Sequence, residues 1–358
     1  MITRWIPRGD HAHASCPRAP SARWLCFLLF VSGFSPTAGC ATWDDPSAAR
    51  RPNGQLRDAP DDRDPETLVP VGVQTVIDVD MAQVRRSPWV IPALEARDRR
   101  TRAAKDEALG YDDVNDVDRV IYAVTAAGAD APTLVIAQGR FQTTRVQEAF
   151  RVRWPAAVVD RWRGIVILAS GENAIALLTA RTFASGTPAT VRSVIDRAFG
   201  IGADVSTDPA LGPTRRALCP EGPLAKPALL AAIAVDDRIR ARVGDTAPVP
   251  RELRQVGLRV DLGQSLDLRA LGILDDRESA VALARRLNAL LTDPIARLTL
   301  RAMGLAMLLP LARVATDGAR VLVRLPVDVE HRAQLSSMLK MVVESSRNGP
   351  GPGGLGSW

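Results

Sequence analysis

Alternating apolar and polar positions mark three strands of this chain. In "VGVQTVIDVD", residues 71–80, β-branched side chains occupy nearly every second position. The same period of two recurs in "QVGLRVDLG" (255–263) and in "ARVLVRLPVDV" (319–329). Successive side chains of a strand point to opposite faces of a sheet, so the pattern predicts strands with one face buried.

Closely spaced apolar runs predict hairpins. "DRVIYAV" (118–124) and "PTLVIAQGRF" (132–141) flank a turn-rich segment, and only a short turn separates "GIVILAS" (164–170) from "NAIALLTA" (173–180). Loops this short favour antiparallel pairing. Further strands are predicted in the second part of the chain at "ALLAAIAV" (228–235) and "SLDLRALGIL" (265–274).

Apolar residues at intervals of three and four predict the helices. The first, residues 81–110, contains breaks near Pro88 and Pro92 and ends at Gly110. The remaining helical segments are "TTRVQEAFRVRW" (143–154), "TPATVRSVIDRAFG" (187–200), "DDRESAVALARRLNALL" (275–291), Pro294 to Ala315, and "EHRAQLSSMLKMVVESS" (330–346).

A strand or hairpin followed by a helix recurs about five times along the chain. This order predicts an α+β fold with antiparallel sheet and helices packed on one face. We expect two similar halves, 69–200 and 224–346, with 201–223 as a connecting loop and 347–358 as a flexible tail. One continuous sheet through both halves is the alternative.

The first 39 residues have the features of an export signal. Arg18 and Arg23 precede an uncharged run, Trp24 to Phe34, which is followed by small residues up to Cys40. The run is shorter than the roughly 20 residues of a membrane-spanning helix, so a removable signal is the preferred interpretation. An ordinary secretory cut near Ala41 and an uncleaved anchor remain alternatives.

The end of this leader resembles the lipobox of bacterial lipoproteins. Ala38, Gly39 and Cys40 match the two small residues and the lipid-accepting cysteine of that motif, while Thr37 stands where leucine is usual. The resemblance implies cleavage before Cys40 and a membrane anchor on its thiol, a diacylglyceryl group whose acyl chains include palmitate. The body is similar to exported proteins of GC-rich, myxobacterial-type bacteria, a likeness that implies no activity.

Residues 40–68 are predicted to form a flexible tether. They are rich in acidic residues, arginine and proline, and poor in large apolar side chains, so they cannot bury enough surface to offset the entropy of ordering. In the Gram-negative lipoproteins that this leader resembles, the residue after the cysteine directs sorting, and Ala41 in place of aspartate implies the outer membrane. We therefore expect an outer-membrane lipoprotein facing the periplasm; a secreted or soluble periplasmic protein is the alternative.

Net charge gives little information about partners. The formal net charge is +6, and the leader supplies +3 of it, which leaves about +3 for a chain that begins at Cys40. The basic residues are 43 arginines and 3 lysines, a bias typical of a GC-rich genome. We expect no nucleic-acid partner; the expected partners are a membrane, through the lipid, and an envelope protein.

Catalytic and metal-binding patterns are missing from the sequence. After Cys40 there is one histidine, His331, at the start of a predicted helix, and one further cysteine, Cys219. This set cannot form a usual zinc sphere, and we interpret His331 as solvated and Cys219 as structural, with a reactive thiol as the alternative. The acidic run Asp112 to Asp118 lacks the glycine and glutamate of a calcium loop, so we expect capping aspartates in a helix-to-strand connection.

These observations predict a non-catalytic, lipid-anchored binding or structural module with no cofactor and no metal. One alternative is a carrier of an apolar ligand, whose groove would lie near 302–312 and involve Met303, Met307 and Pro310. A helix buried against the sheet explains the same residues. A second alternative is a hydrolase that uses carboxylates alone, which requires two acids converging in one pocket.

Overall fold

A single antiparallel sheet of twelve strands organises the protein. The computed structural model describes residues 63–96, 106–125, 133–220, 226–244, 249–294, 297–298, 301, 306–337 and 340. The strands are β1 (Thr75–Asp80), β2 (Val117–Val124), β3 (Thr133–Gly139), β4 (Val158–Trp162), β5 (Ile165–Ser170), β6 (Asn173–Leu177), β7 (Thr182–Gly186), β8 (Leu229–Ala234), β9 (Leu253–Leu262), β10 (Leu266–Leu274), β11 (Arg313–Asp317) and β12 (Arg320–Val327).

Seven α-helices accompany the sheet among the named elements. They are α1 (Met81–Arg86), α2 (Ile91–Glu95), α3 (Thr143–Arg153), α4 (Pro188–Ala198), α5 (Gly212–Leu218), α6 (Asp237–Gly244) and α7 (Arg277–Thr292). Short 3-10 helices lie at Pro65–Leu68, Val205–Thr207, Ala306–Leu311 and Val329–His331. None of the helices in the described ranges has the length and apolar character needed to cross a membrane.

The sheet is continuous from one end of the fold to the other. Its strand order is β11-β12-β10-β9-β8-β1-β2-β3-β7-β6-β5-β4, and each neighbouring pair is antiparallel. The two parts of the chain meet where β1 pairs with β8, with Asp78 opposite Leu230. The predicted α+β class with antiparallel sheet is confirmed, and the chain adopts the continuous-sheet alternative.

Side-chain alternation divides the sheet into two faces. We call the face that carries Val76 and Ile121 face A, and the face that carries Val79 and Val120 face B. On face A, Ile121 belongs to a buried cluster that includes the apolar stripe of α4. On face B, Val120 belongs to a second buried cluster, which includes Val146 and Phe150 of α3. Helices therefore cover both faces, whereas the sequence predicts one.

The composition of the central strands explains why both faces are covered. In β5, four successive residues are buried, Ile165 to Leu168, and β6 is buried from Ala174 to Leu177. A strand that is apolar on both sides needs cover on both sides, as parallel strands normally do. The N-terminal part of the fold is thus a three-layer structure, with α4 on face A and α3 on face B.

The C-terminal part of the sheet has a smaller core. α7 packs through Ala280 and Ala284 against Leu274 and Val321 on face B. On face A, α5 lies over β9 at Gly257, where an added Cβ would come within 2.3 Å of the Thr214 methyl group. A glycine at this position lets the helix approach the strand closely.

Several elements differ from the sequence-based prediction. The strands β4 and β7 and the helix α6 were not predicted, and the expected connecting loop 201–223 contains α5. The predicted helical stretch from Pro294 to Ala315 is wrong at its end, because β11 begins at Arg313. Residues Arg313–Asp317 pair with β12 across a turn at Gly318, whose φ is +57°.

Candidate functional site

Six charged side chains meet on face A close to the point where the two parts of the sheet join. They come from the chain entering the fold, from two strands and from the segment around α5. The members of this charge cluster are Asp64, Glu66, Asp78, Arg119, Arg215 and Lys226.

Arg119 is the centre of the charge cluster. Its guanidinium donates from Nε to Asp78 Oδ1 at 2.8 Å and from Nη2 to the second oxygen of the same carboxylate. It also donates to Asp64 from Nη1 and lies 3.8 Å from Glu66 Oε2. Asp78 and Arg119 are both buried, so the hydrogen bonds between them replace those that each charged group would make to water.

The outer members of the charge cluster connect the entering chain to the C-terminal part. Arg215 of α5 lies 2.7 Å from Glu66 Oε1 through its Nη2, and Lys226 Nζ donates to Asp64 Oδ2 at 2.6 Å. Three positive and three negative groups leave no formal excess charge. The charge cluster therefore holds the segment at Pro65–Leu68 onto the sheet, and it offers no unbalanced charge to a ligand.

The pKa values follow from these contacts. Burial alone would raise the pKa of Asp64, but the hydrogen bond from Lys226 and the charge of Arg119 outweigh it and hold this pKa below its usual value. Burial acts to lower the pKa of Arg119, and the hydrogen bond to Asp78 overcomes it and raises the pKa. Asp64 and Arg119 therefore stay ionised at neutral pH.

A polar cleft of about 300 Å³ lies beside the start of β1. Two carboxylates line it, Asp208 and Asp236, as the carboxylate-hydrolase alternative requires. The lining residues are Gly72, Val73, Gln74, Thr125, Asp208, Ala210, Ala234, Asp236 and Arg238.

Both carboxylates of the polar cleft bind backbone amides. Asp208 accepts hydrogen bonds from the N–H groups of Gly72 and Ala210, each at 2.7 Å. Asp236 accepts from the N–H of Ile239 at 2.8 Å. Burial acts to raise the pKa of Asp236, but this amide and the Gln74 side chain lower it overall. A general acid needs a raised pKa, so Asp236 is suited to capping α6.

Three carboxylates come together at the connection into β2. The side chains of Asp106, Asp112 and Asp113 each place an oxygen within 4.8 Å of the others. Asp112 also accepts hydrogen bonds from the backbone N–H groups of Val114 and Asn115, both at 2.9 Å. These bonds agree with the predicted capping role of the acidic run.

Most of the predicted leader and groove residues lie outside the part of the chain that the structure describes. Ala38, Gly39 and Cys40 lie outside the described residues, as does Met303. Met307 is half-buried and Pro310 is exposed, both within the 3-10 helix Ala306–Leu311. The predicted apolar groove near 302–312 therefore stays a prediction.

The two residues weighed as nucleophile or base, His331 and Cys219, belong to different elements of the fold. His331 ends the 3-10 helix Val329–His331, and its Nδ1 lies 4.0 Å from the exposed Glu330. Cys219 follows α5 and packs beside Leu218, Leu230 and Leu271. Packing among leucines agrees with a structural role, since a cysteine in such a cluster behaves as a small apolar side chain.

Sequence analysis did not identify the charge cluster. Asp78 shares one set of alternating positions in β1 with Val76, and both residues are buried. The only local signal is an arginine, Arg119, in the apolar strand "DRVIYAV". Pairing these two residues requires the register of β1 against β2, which the alternation does not specify.

Comparison with solved structures finds likenesses at low sequence identity. No protein-family model and no curated protein matches the chain. Crystal form III of TP0453 aligns with a TM-score of 0.46 at 11% identity, covering 78% of this chain and 98% of that one. Crystal form I of TP0453 aligns with a TM-score of 0.45 at 13% identity over the same shares of the two chains.

Proposed function

We propose that this chain is a non-catalytic, lipid-anchored envelope protein whose α+β body acts as a binding or structural module. The observation that carries the proposal is the sequence from Trp24 to Cys40: an apolar run too short to span a bilayer, then Ala38-Gly39-Cys40. Cleavage before Cys40 places the lipid at the first residue of the mature chain.

The order of the segments supports an anchored body. Cys40 is followed by the acidic and proline-rich stretch before Arg63, and the first 3-10 helix begins at Pro65. About 22 residues therefore separate the lipid from the body, which at roughly 3.3 Å per extended residue sets the greatest distance that the body can reach from the headgroups. The proposed location is the periplasmic side of the outer membrane, with a secreted or soluble periplasmic protein as the alternative.

The two carboxylates of the polar cleft are bound by backbone N–H groups, and this supports a non-catalytic body. Asp208 and Asp236 both accept backbone hydrogen bonds that shape the chain around them. A hydrolase that relies on two carboxylates needs both of them directed at a scissile bond, whereas oxygens of both side chains here accept backbone hydrogen bonds. Binding is therefore the function that these side chains favour over hydrolysis.

Metabolic labelling with palmitate tests the anchor. The wild-type chain and Cys219→Ala, expressed with the full leader, are expected to carry the label, because Cys219 lies in the folded body beside Leu218. Cys40→Ala is expected to lose it completely and to be released from the membrane fraction. Label retained in Cys40→Ala, or lost equally in Cys219→Ala, would refute Cys40 as the lipid site.

A further inference from the structure

Four arginines lie side by side across the C-terminal part of the sheet. The register pairs Arg259 of β9 with Arg269 of β10, Arg269 with Arg324 of β12, and Arg324 with Arg313 of β11. Adjacent strands are about 4.8 Å apart, so the row extends over about 14 Å. Like charges directly opposite each other destabilise a sheet. A row of this kind therefore calls for a compensating partner.

Sequence bias toward arginine does not explain the row, because from Val256 of β9 onward the two faces of these strands carry different residues. From Val256 to Leu262, from Leu266 to Leu274, from Val314 to Thr316 and from Val321 to Val327, the side chains directed to face B are uncharged. Face A holds all the charged ones. The arginines of the row are thus segregated by the pleat onto one side.

Further charges extend the row into a basic surface on face A. Arg320 of β12 lies on the same face, and together with Arg216 of α5 it lines a hollow of about 380 Å³ with Pro213, Ala217 and Pro220. We call the whole set the arginine face: Arg216, Arg259, Arg269, Arg313, Arg320 and Arg324, with the aspartates Asp261, Asp267 and Asp317.

The aspartates neutralise only half of the arginine face. Asp261 pairs with Arg259 at 2.8 Å, and Asp267 receives both Arg269 and Arg324, each at about 3 Å. Asp317 is 3.7 Å from Arg320 and almost fully exposed. Six arginines against three aspartates leave a formal excess of three positive charges.

The arginine face is open to solvent at its outer members. The side chains of Arg320 and Arg324 are 48% and 52% exposed, and Arg216 and Arg313 are exposed as well. Leu322, between Arg320 and Arg324 on the same face, is an exposed large apolar residue. A flat, accessible surface of guanidinium groups around a leucine suits a planar array of phosphates, which guanidinium groups bind bidentately.

The proposed tether leaves the body on the same side of the sheet. Asp64 and Glu66, at the point where the chain enters the fold, contact Arg119 and Arg215 on face A. A lipid on Cys40, joined to this point by about 22 residues, would therefore bring the membrane within reach of face A and its basic surface. This short connection and the charge complementarity between guanidinium groups and lipid phosphates favour the membrane surface as the occupant.

We infer that the arginine face docks on the phosphate headgroups of an anionic membrane surface, a partner that rests on the proposed lipid anchor. Each exposed arginine near an anionic surface contributes about 1 kcal/mol, and the attraction decays within about 8 Å at physiological salt. The arginine face thus orients the anchored body instead of leaving it to rotate on its tether.

Vesicle co-sedimentation of the chain from residue 40 onward, with Cys40→Ala, tests this inference without the lipid. That chain keeps every described residue. We expect it to bind vesicles of phosphatidylcholine and phosphatidylglycerol in a 3:1 ratio, and to bind pure phosphatidylcholine at least tenfold more weakly. The triple variant Arg216→Gln, Arg313→Gln and Arg320→Gln is expected to lose at least tenfold in affinity for the anionic vesicles.

A matched control removes three charges elsewhere. The control variant is Arg145→Gln, Arg285→Gln and Arg286→Gln. These three arginines are exposed on α3 and α7, the helices that pack on face B. The control variant is expected to change vesicle affinity less than twofold. Circular dichroism checks that both triple variants are folded. If the first triple variant is unfolded, Arg320→Gln alone is used, with an expected loss of about fivefold.

Three outcomes would overturn the inference. They are equal losses in the two triple variants, equal binding to neutral and anionic vesicles, and binding to soluble polyphosphate that anionic vesicles do not compete away. The last result would assign the arginine face to a soluble polyanion. The chain used here carries no lipid, so none of these outcomes depends on whether Cys40 is acylated. The vesicle results can therefore be interpreted even if the palmitate experiment fails.

Discussion

Arg119 shows how one residue compensates for a charge buried in an apolar sheet. Asp78 lies on β1, in the same buried face as Val76, where an unpaired carboxylate would cost several kcal/mol. Arg119, on the neighbouring strand β2, meets both of its oxygens and reaches Asp64 with its third nitrogen. The position of the entering chain is thus tied to the position of β1.

Asp64 makes folding sensitive to acid. Its pKa is lowered in the folded state, so its ionised form contributes stability that is present above the unfolded pKa of about 3.9 and is lost as the pH falls through the lowered folded value. We expect Asp64→Asn to reduce the free energy of unfolding by about 2 kcal/mol at pH 7. Denaturant titrations at several pH values measure this difference.

The difference between Asp64→Asn and wild type should shrink below about pH 4, because Asp64 of the unfolded chain takes up a proton there, and folded Asp64 does so at a lower pH. Asp237→Asn is the control, since Asp237 is 98% exposed and its pairing with Arg240 is worth little. A stability difference for Asp64→Asn that stays constant down to pH 2 would show that its charge plays no part.

At the scale of elements, the beginning of α4 illustrates how a local signal defines a helix. Thr187 accepts a hydrogen bond from the N–H of Thr190 at 3.2 Å, and Pro188 occupies the first turn, where no N–H is needed. The buried stripe of this helix covers face A. Capping and an apolar stripe agree here, so the helix was predictable.

We expect Thr187→Ala to reduce the free energy of unfolding by about 1 kcal/mol, because the N–H of Thr190 loses its acceptor at the start of α4. Thr187→Ser retains the hydroxyl and should stay within about 0.5 kcal/mol of wild type. Urea titrations compare the three proteins. Equal losses for alanine and serine would indicate that the threonine methyl group matters more than the cap.

Elements with a strong internal pattern were predictable from sequence, and those defined by neighbours were not. The hairpin of β5 and β6 follows from two apolar runs around a short turn. In contrast, β4 has the exposed residues Val158 and Val159 and forms a strand because it pairs with β5. α5 lacks a long apolar stripe, and its packing over Gly257 depends on a contact that is distant in sequence.

The arginine face was unpredictable for a related reason. Each of its strands shows an arginine at a polar position, which the alternation assigns to the exposed side. The side-by-side row of Arg259, Arg269, Arg324 and Arg313 arises only from the register of four strands. Register depends on turns and on the apolar face, so the sequence alone indicates basic residues without showing that they form a surface.

At the scale of the whole molecule, the continuous sheet gives the body two different ends. The N-terminal part has apolar clusters on both faces, whereas the C-terminal part has an apolar face B and a face A that carries both a small apolar cluster beneath α5 and the arginine face. The charge cluster brings the entering chain onto face A, the side that also carries the arginine face. An anchor at Cys40 and a basic surface on that side form one arrangement for holding the body against a membrane.

The most direct test of this account is mass spectrometry of the N-terminal peptide of the protein purified from its native envelope. We predict that the mature chain begins at Cys40 and that this residue carries a diacylglyceryl group on its thiol. A chain that begins at Ala41, or one that retains the leader without lipid, would contradict the account.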